Sequence, residues 1–273
     1  MLPYLLWQSP KVLRAINSER KRVSEFHAKY NFAGIISDNR YGVYHPDTPS
    51  VFVSHQLELP NKIASKIQSR YIHQFHEIWI PDVKEKVLSG NLSNCRYNTN
   101  VKFLGVLSRF QKKQLEQNIE VLVVLSGLEP LRTQMEDKLL QELSKFKGSV
   151  TLVRGVVESK QSNEVYNRIT RINYCTTEQL DELVNHANLV IARSGYSTIL
   201  DLAKLEKRAF FIPTKGQPEQ QYLAKHLEEI NIAPYCQLKD FKVELFKELK
   251  NYTGFKKLNT ALPEELFHLF ERE

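Results

Sequence analysis

From residue 119 to residue 230, short apolar runs alternate with stretches of helical period, and this alternation restricts the chain more than any other feature. Strands are predicted at Ile119–Leu125, Ser149–Val153, Thr170–Tyr174, Leu189–Ala192 and Ala209–Ile212. Helices are predicted over Glu129–Phe146, Thr177–His186, the residues after Gly195, and Pro218–Glu229. Strands separated by helices of this length form βαβ units, which require a parallel sheet. The fold class is therefore α/β.

The first hundred residues repeat the pattern less regularly. Val12, Leu13, Ile16, Val23 and Phe26 recur at helical spacing, so Pro10–Lys29 reads as an amphipathic helix. Strands follow at Phe32–Ser37, Ser50–Ser54, Glu77–Ile80 and Val101–Gly105, with a helix over residues 61–76. The polar stretch before Ile119 places a boundary between Gly105 and Asn118. Two lobes are expected, 1–110 and 111–273. There is no internal repeat and no low-complexity segment.

Composition excludes several classes. Of 273 residues, 42% are apolar and 25% charged, which argues against a disordered chain. Cys95, Cys175 and Cys236 are few, odd in number and far apart, so neither a disulfide framework nor a zinc site is expected. No stretch approaches the ~20 apolar residues of a membrane span. Met1–Trp7 is apolar but lacks a basic leader, so no signal peptide is expected and the protein reads as cytoplasmic.

The net charge of +7 is concentrated at the front, where residues 1–105 hold 14 Lys or Arg against 8 Asp or Glu. Such an excess suits a phosphorylated substrate or an anionic membrane surface. Lys62, Lys66 and Arg70 would form one stripe of a helix beside Ile63, Ile67 and Tyr71, either as a lipid-facing strip or as a solvated face. Aromatic residues are not interleaved with the basic ones, so nucleic acid is not an expected partner.

Three loops carry the chemistry. In Ala192-Arg193-Ser194-Gly195-Tyr196-Ser197-Thr198, a buried strand stops at a Ser-Gly turn and a helix begins. Free N–H groups and the dipole at a helix start bind anions, and glycine lets a phosphate reach the backbone. Ser197 and Thr198 stand in that first turn, and Asp201 lies about two turns in, where a carboxylate can accept from ribose hydroxyls. Read in isolation, this is more often an ordinary helix cap. A second glycine turn, Ser126-Gly127-Leu128-Glu129-Pro130, follows the first strand of the lobe, and Ile212-Pro213-Thr214-Lys215-Gly216-Gln217 follows the last, leading to Gln220-Gln221. Loops at the carboxyl edge of a parallel sheet are where ligands bind.

With those residues in place, positions 119–230 resemble the C-terminal, donor-binding domain of glycosyltransferase family 28. That family's pattern is Arg-Ser-Gly-Ala-x-Thr, an acid-Leu pair, a strand ending in Pro, and Gln-Gln before a helix. Here it reads Arg193-Ser194-Gly195-Tyr196-Ser197-Thr198, Asp201-Leu202, Pro213 and Gln220-Gln221. The resemblance implies a GT-B-like fold of two Rossmann-like lobes. It implies that Ser194, Gly195, Ser197 and Thr198 hold a UDP-sugar's diphosphate, that Asp201 takes the ribose, and that Gln220 and Gln221 meet the sugar. Asp201 is shorter than the family's Glu. Ser126 and Gly127 stand where the family has Gly-Gly-Ser-x-Gly. Arg193 either neutralises the diphosphate or pairs with a carboxylate across the sheet.

Ser37-Asp38-Asn39-Arg40-Tyr41-Gly42 and Ser54-His55-Gln56 are similar to acceptor-facing loops of such transferases. Asp38 or His55 would deprotonate an acceptor hydroxyl, and Asn39, Arg40 and Gln56 would bind the acceptor; turn chemistry explains the same residues without a site. Family members open with a strand and a Gly-x-Gly-His loop that this sequence lacks, so an incomplete N-terminal lobe is expected, with a partner as one source of the missing elements. The expected function is transfer of a hexose, such as N-acetylglucosamine, from a UDP-sugar to a lipid- or polysaccharide-linked acceptor of the cell envelope, at the inner face of the membrane. No Asp-x-Asp motif occurs, so neither metal nor cofactor is expected. The alternatives are a nucleotide-sugar epimerase and a non-catalytic UDP-sugar-binding scaffold.

Overall fold

The computed structural model describes residues 2–58, 62–95 and 100–271, with side chains defined outside 2–9 and 62–64. Two compact units divide the chain: residues 1–105 together with 260–273, and residues 106–259.

The first unit begins with α1 (Leu2–Tyr30). This helix starts eight residues before the one expected and runs through Pro10. Good helix formers on both sides, Leu5, Leu6 and Gln8 before it and Lys11, Leu13 and Arg14 after it, carry it past the one backbone donor that proline removes. Ile16 is buried, whereas Val12, Leu13 and Phe26 remain largely exposed. Strands β1 (Ile35–Asp38), β2 (Ser50–Val53), β3 (Glu77–Ile80) and β4 (Asn100–Phe103) form a sheet in that order, every pair parallel, with α2 (Lys62–Ile72) between β2 and β3. Phe52, Ile72, Phe75, Ile78 and Ile80 fill one core cluster; Val51, Trp79 and Leu104 fill a second with Leu266. Leu269 and Phe270 pack on the second cluster too. Residues 260–273 therefore belong with this unit, not with the lobe that was expected to run to 273, because their apolar side chains cover the Trp79 face.

The second unit holds β5 (Ile119–Val124), α3 (Leu131–Leu143), β6 (Val150–Val153), β7 (Asn163–Tyr166), β8 (Ile169–Ile172), α4 (Thr177–His186), β9 (Ala187–Ala192), α5 (Tyr196–Lys204), β10 (Arg208–Phe211) and α6 (Pro218–Glu229). Its sheet order is β10-β9-β5-β6-β8-β7, parallel except for the β7–β8 hairpin. The hairpin was not expected: its turn is Asn167-Arg168, both at positive φ, and every β7 residue is exposed, so no burial pattern marks it.

Local chemistry fixes the helix starts. Thr176 and Gln179 make a reciprocal capping box on α4, and Pro218 opens α6. Met135, Leu139 and Leu143 of α3 pack on Val121, Val123, Leu152 and Ile191, with Phe241 beside them. Phe246 and Leu249, from a 3-10 segment at Val243–Asn251, extend this core.

The chain steps from β5 outward to β6 and β8, then returns to β9 on the other side of β5. The switch in direction lies between β5 and β9, and ligand crevices in open parallel sheets form there, outside the carboxyl ends of the strands. No described helix in either unit is long and apolar enough to cross a membrane. Cys95, Cys175 and Cys236 are all half-buried.

Candidate functional site at the β5–β9 switch point

Arg193, the first residue after β9, holds the edge together. Its Nε donates to the Ser126 carbonyl (2.8 Å), its Nη2 to the Leu131 carbonyl (2.8 Å), and its Nη1 to the Thr214 hydroxyl. One guanidinium thus joins the loops after β5 and β10 to the start of α3. Gly127 sits beneath it at φ +102°; a Cβ there would lie 3.4 Å from Arg193 Nε. Arg193 is 5% exposed and has no carboxylate within ion-pair distance among the described residues. Burial lowers its pKa, and no neighbouring anion offsets that cost. The carboxylate pairing considered from sequence is absent, and a buried cation whose partners are all neutral favours an incoming anion.

The start of α5 faces the same loops. Gly195 caps it without a side chain, and the first turn contains no acidic residue. A Cβ at Gly195 would meet nothing within 4 Å. Ser197 is exposed and Thr198 half-buried, and neither hydroxyl has a hydrogen-bond partner among the described residues. This is the open helix start that an anion requires.

Other expected contacts are used inside the fold. Ser194 is fully buried, and its hydroxyl donates to the Gln220 carbonyl at 2.7 Å, so it ties α5 to α6 and does not face outward. Gln220 Oε1 accepts from the Thr214 N–H at 2.8 Å, shaping the loop before α6; Gln221, by contrast, lines an open groove. Ser126 and Gly127 are exposed, but the α3 start beyond them is already filled. The Glu129 carboxylate accepts from the Thr133 N–H (3.2 Å) and hydroxyl (2.8 Å) and pairs with Arg132. These bonds, the Thr133 hydroxyl foremost, hold Glu129 below the usual carboxylate range. An anion at the α3 start would meet that negative charge, whereas the first turn of α5 carries none.

Asp201 is half-buried on α5, and Ser108 donates to its Oδ1 at 2.5 Å. Burial raises its pKa, partly countered by Ser108 and by the Arg109 charge. Sequence reasoning missed Ser108 and Arg109 because they stand in an aperiodic stretch between elements. That stretch is strapped onto the second unit: Arg109 reaches Thr177 (3.3 Å), the Gln111 N–H reaches Asp181 (3.1 Å), and Lys113 pairs with Asp181 (2.7 Å).

In the first unit, the β1 and β2 loops meet at one sheet edge. The Asn39 N–H donates to the Val53 carbonyl (3.0 Å), and Ser54 Oγ donates to Asn39 Oδ1 (3.3 Å). Asp38 is exposed; His55 and Gln56 are half-buried, and the Gln56 carbonyl accepts from Gln68 (2.9 Å). Arg40 is engaged by Glu19 of α1, through Nε at 2.8 Å and through Nη2. The long α1 brings this carboxylate to Arg40, whose side chain stays largely exposed.

Residues 121–265 match the glycosyltransferase family 28 C-terminal domain, more than half of the chain. The chain belongs to glycosyltransferase family 28. It is 26% identical over 223 residues to the UDP-N-acetylglucosamine–N-acetylmuramyl-(pentapeptide) pyrophosphoryl-undecaprenol N-acetylglucosamine transferase of Histophilus somni, covering 75% of this chain and 57% of that protein. To the enzyme of the same name from Haemophilus influenzae (strain PittEE) it is 30% identical over 158 residues, covering 54% and 43%. The chain thus spans about half the length of these relatives. Among solved structures it is similar to the calicheamicin glycosyltransferase CalG4 (TM-score 0.61, 8% identity, 92% of this chain and 75% of that one). It is also similar to Acinetobacter baumannii MurG (TM-score 0.53, 14% identity, 88% and 69%). The fold of this family 28 chain is of the GT-B type.

Proposed function

We propose that the chain transfers a hexose, N-acetylglucosamine in the first instance, from a UDP-sugar to a lipid- or polysaccharide-linked acceptor. The observation that carries this reading is the uncapped start of α5 at the β5–β9 switch point, beside a buried Arg193 with no carboxylate partner. The names of the curated relatives supply the donor and the acceptor class.

In the transfer, an acceptor hydroxyl oxygen bonds to sugar C1 while the bond from C1 to the β-phosphate oxygen breaks. The electron pair leaves with UDP, and the proton goes to a base. Charge grows on the β-phosphate as that bond breaks, and the α5 amides with Arg193 are fixed donors that stabilise it without reorganising. Ser197 and Thr198 add hydroxyl donors, Asp201 accepts from the ribose, and Gln221 meets the sugar. Asp38 or His55 takes the acceptor proton. Lys66, Ile67 and Arg70 on an exposed part of α2 suit a chain working at the inner face of a membrane, where a lipid-linked acceptor resides.

The test is product analysis with UDP-N-acetylglucosamine, with and without a lipid-linked acceptor. UDP release that requires acceptor, with the sugar recovered on it, supports transfer. Sugar epimerised without acceptor, or nucleotide bound but never turned over, overturns it.

A further inference from the structure

A groove of about 890 Å³ opens beside the α5 start, formed entirely by the second unit. Its volume falls within the ~300–1,000 Å³ typical of small-ligand sites. It shares Arg193 and Gln221 with the proposed donor site, and Tyr235 and Lys239 line it while Asp201 does not. Lys138, Lys215, Lys225 and Lys239 line it, and no aspartate or glutamate does. Lys138 and Lys225 are partly neutralised along their own helices, by Glu142 (3.0 Å) and Glu229 (3.4 Å). Lys215 and Lys239 have no carboxylate within ion-pair distance among the described residues, and neither does Arg193.

The remaining lining describes the rest of the ligand. Gln134, Gln221 and Gln237 offer amides that both donate to and accept from hydroxyls, and Tyr222 and Tyr235 offer flat rings for sugar faces. A neutral hexosamine would need the amides and rings but not the cations. The diphosphate has its own place at α5.

We propose that this groove binds an acidic saccharide, its carboxylate held between Lys215 and Lys239 and its hydroxyls by the glutamines. The acidic sugar is either the one carried by the nucleotide or a residue of the acceptor glycan. The first source rests on the donor-site reading above; the second does not.

Titration of the whole chain with UDP, UDP-N-acetylglucosamine, UDP-glucuronate and a nucleotide-free tetragalacturonate separates these. Lys215→Gln combined with Lys239→Gln is the matched variant; both positions are exposed, and an unchanged unfolding midpoint shows that it is folded. If the donor supplies the acid, UDP-glucuronate binds at least about tenfold tighter than UDP-N-acetylglucosamine, the smallest effect of one charged hydrogen bond, and the variant loses that preference. If the acceptor supplies it, tetragalacturonate binds without nucleotide, weakens with added salt, and is lost in the variant. No preference together with no tetragalacturonate binding overturns the proposal, as does binding that the variant retains. If UDP itself fails to bind, the donor-site reading falls, while tetragalacturonate still decides the groove.

Discussion

At Gly195 the backbone is extended (φ −72°, ψ 142°), a conformation any residue adopts, and an added Cβ would touch nothing within 4 Å. Alanine there should cost the fold little, within about 0.5 kcal/mol. It would stand where a phosphate approaches the α5 amides, however, and UDP affinity should fall by about 1–3 kcal/mol. Thermal unfolding and a UDP titration of Gly195→Ala check both halves; lost stability with intact affinity would place the anion elsewhere. Asp201 tests the other end of the nucleotide. Asp201→Ala should weaken UDP by about 1–3 kcal/mol, the scale of charged hydrogen bonds. Because burial raises the Asp201 pKa, the acceptor form is lost at a higher pH than for an exposed aspartate. UDP affinity should therefore begin to fall above the usual aspartate range as pH is lowered, and Asp201→Ala should flatten that limb.

At the scale of elements, α3, β6 and β8 are joined by one carboxylate. Glu136 is 3% exposed and pairs with Arg132 (2.6 Å), Arg154 (2.7 Å) and Arg171 (2.8 Å). Burial works to raise its pKa, but the three guanidiniums outweigh burial and hold it lowered. The sign follows: this stability is present above the unfolded-state value of about 4.5 and is lost as pH falls through the lower folded value. Glu136→Gln leaves three arginines around a neutral amide and should cost about 3–5 kcal/mol, read by chemical denaturation at neutral pH. The difference between the two proteins should shrink in acid. This cluster was not legible in the sequence: Arg132 and Glu136 share i,i+4 spacing on α3, but Arg154 and Arg171 join them from elements that no local spacing connects to that pair. What was legible rests on local signals: the helical stretch Thr177–His186 for α4, Pro218 at the start of α6, and the short Glu77–Ile80 run with Ile78, Trp79 and Ile80 for β3. The β7 hairpin and the Val243–Asn251 segment escaped, one because it buries nothing and the other because its 3-10 spacing matches neither helical nor strand period.

For the whole molecule, the division into units was legible where the polar stretch follows Gly105. The return of Leu266, Leu269 and Phe270 to the first unit was not, since tertiary packing alone decides it. The candidate site shows the same contrast. The Arg193–Gly195 turn could be read from residue order, whereas the bonds that engage Ser194, Gln220 and Arg40 within the fold carry no mark in the sequence. The open α5 start and the buried Arg193, which has no carboxylate partner among the described residues, are the proposed place for a diphosphate in residues 106–259. Calorimetric titration of the full chain with UDP tests this most directly. The expected result is one UDP per chain, with affinity reduced at least about tenfold in Gly195→Ala at unchanged stability. Absence of UDP binding to the folded chain, or equal affinity in the two proteins, would contradict it.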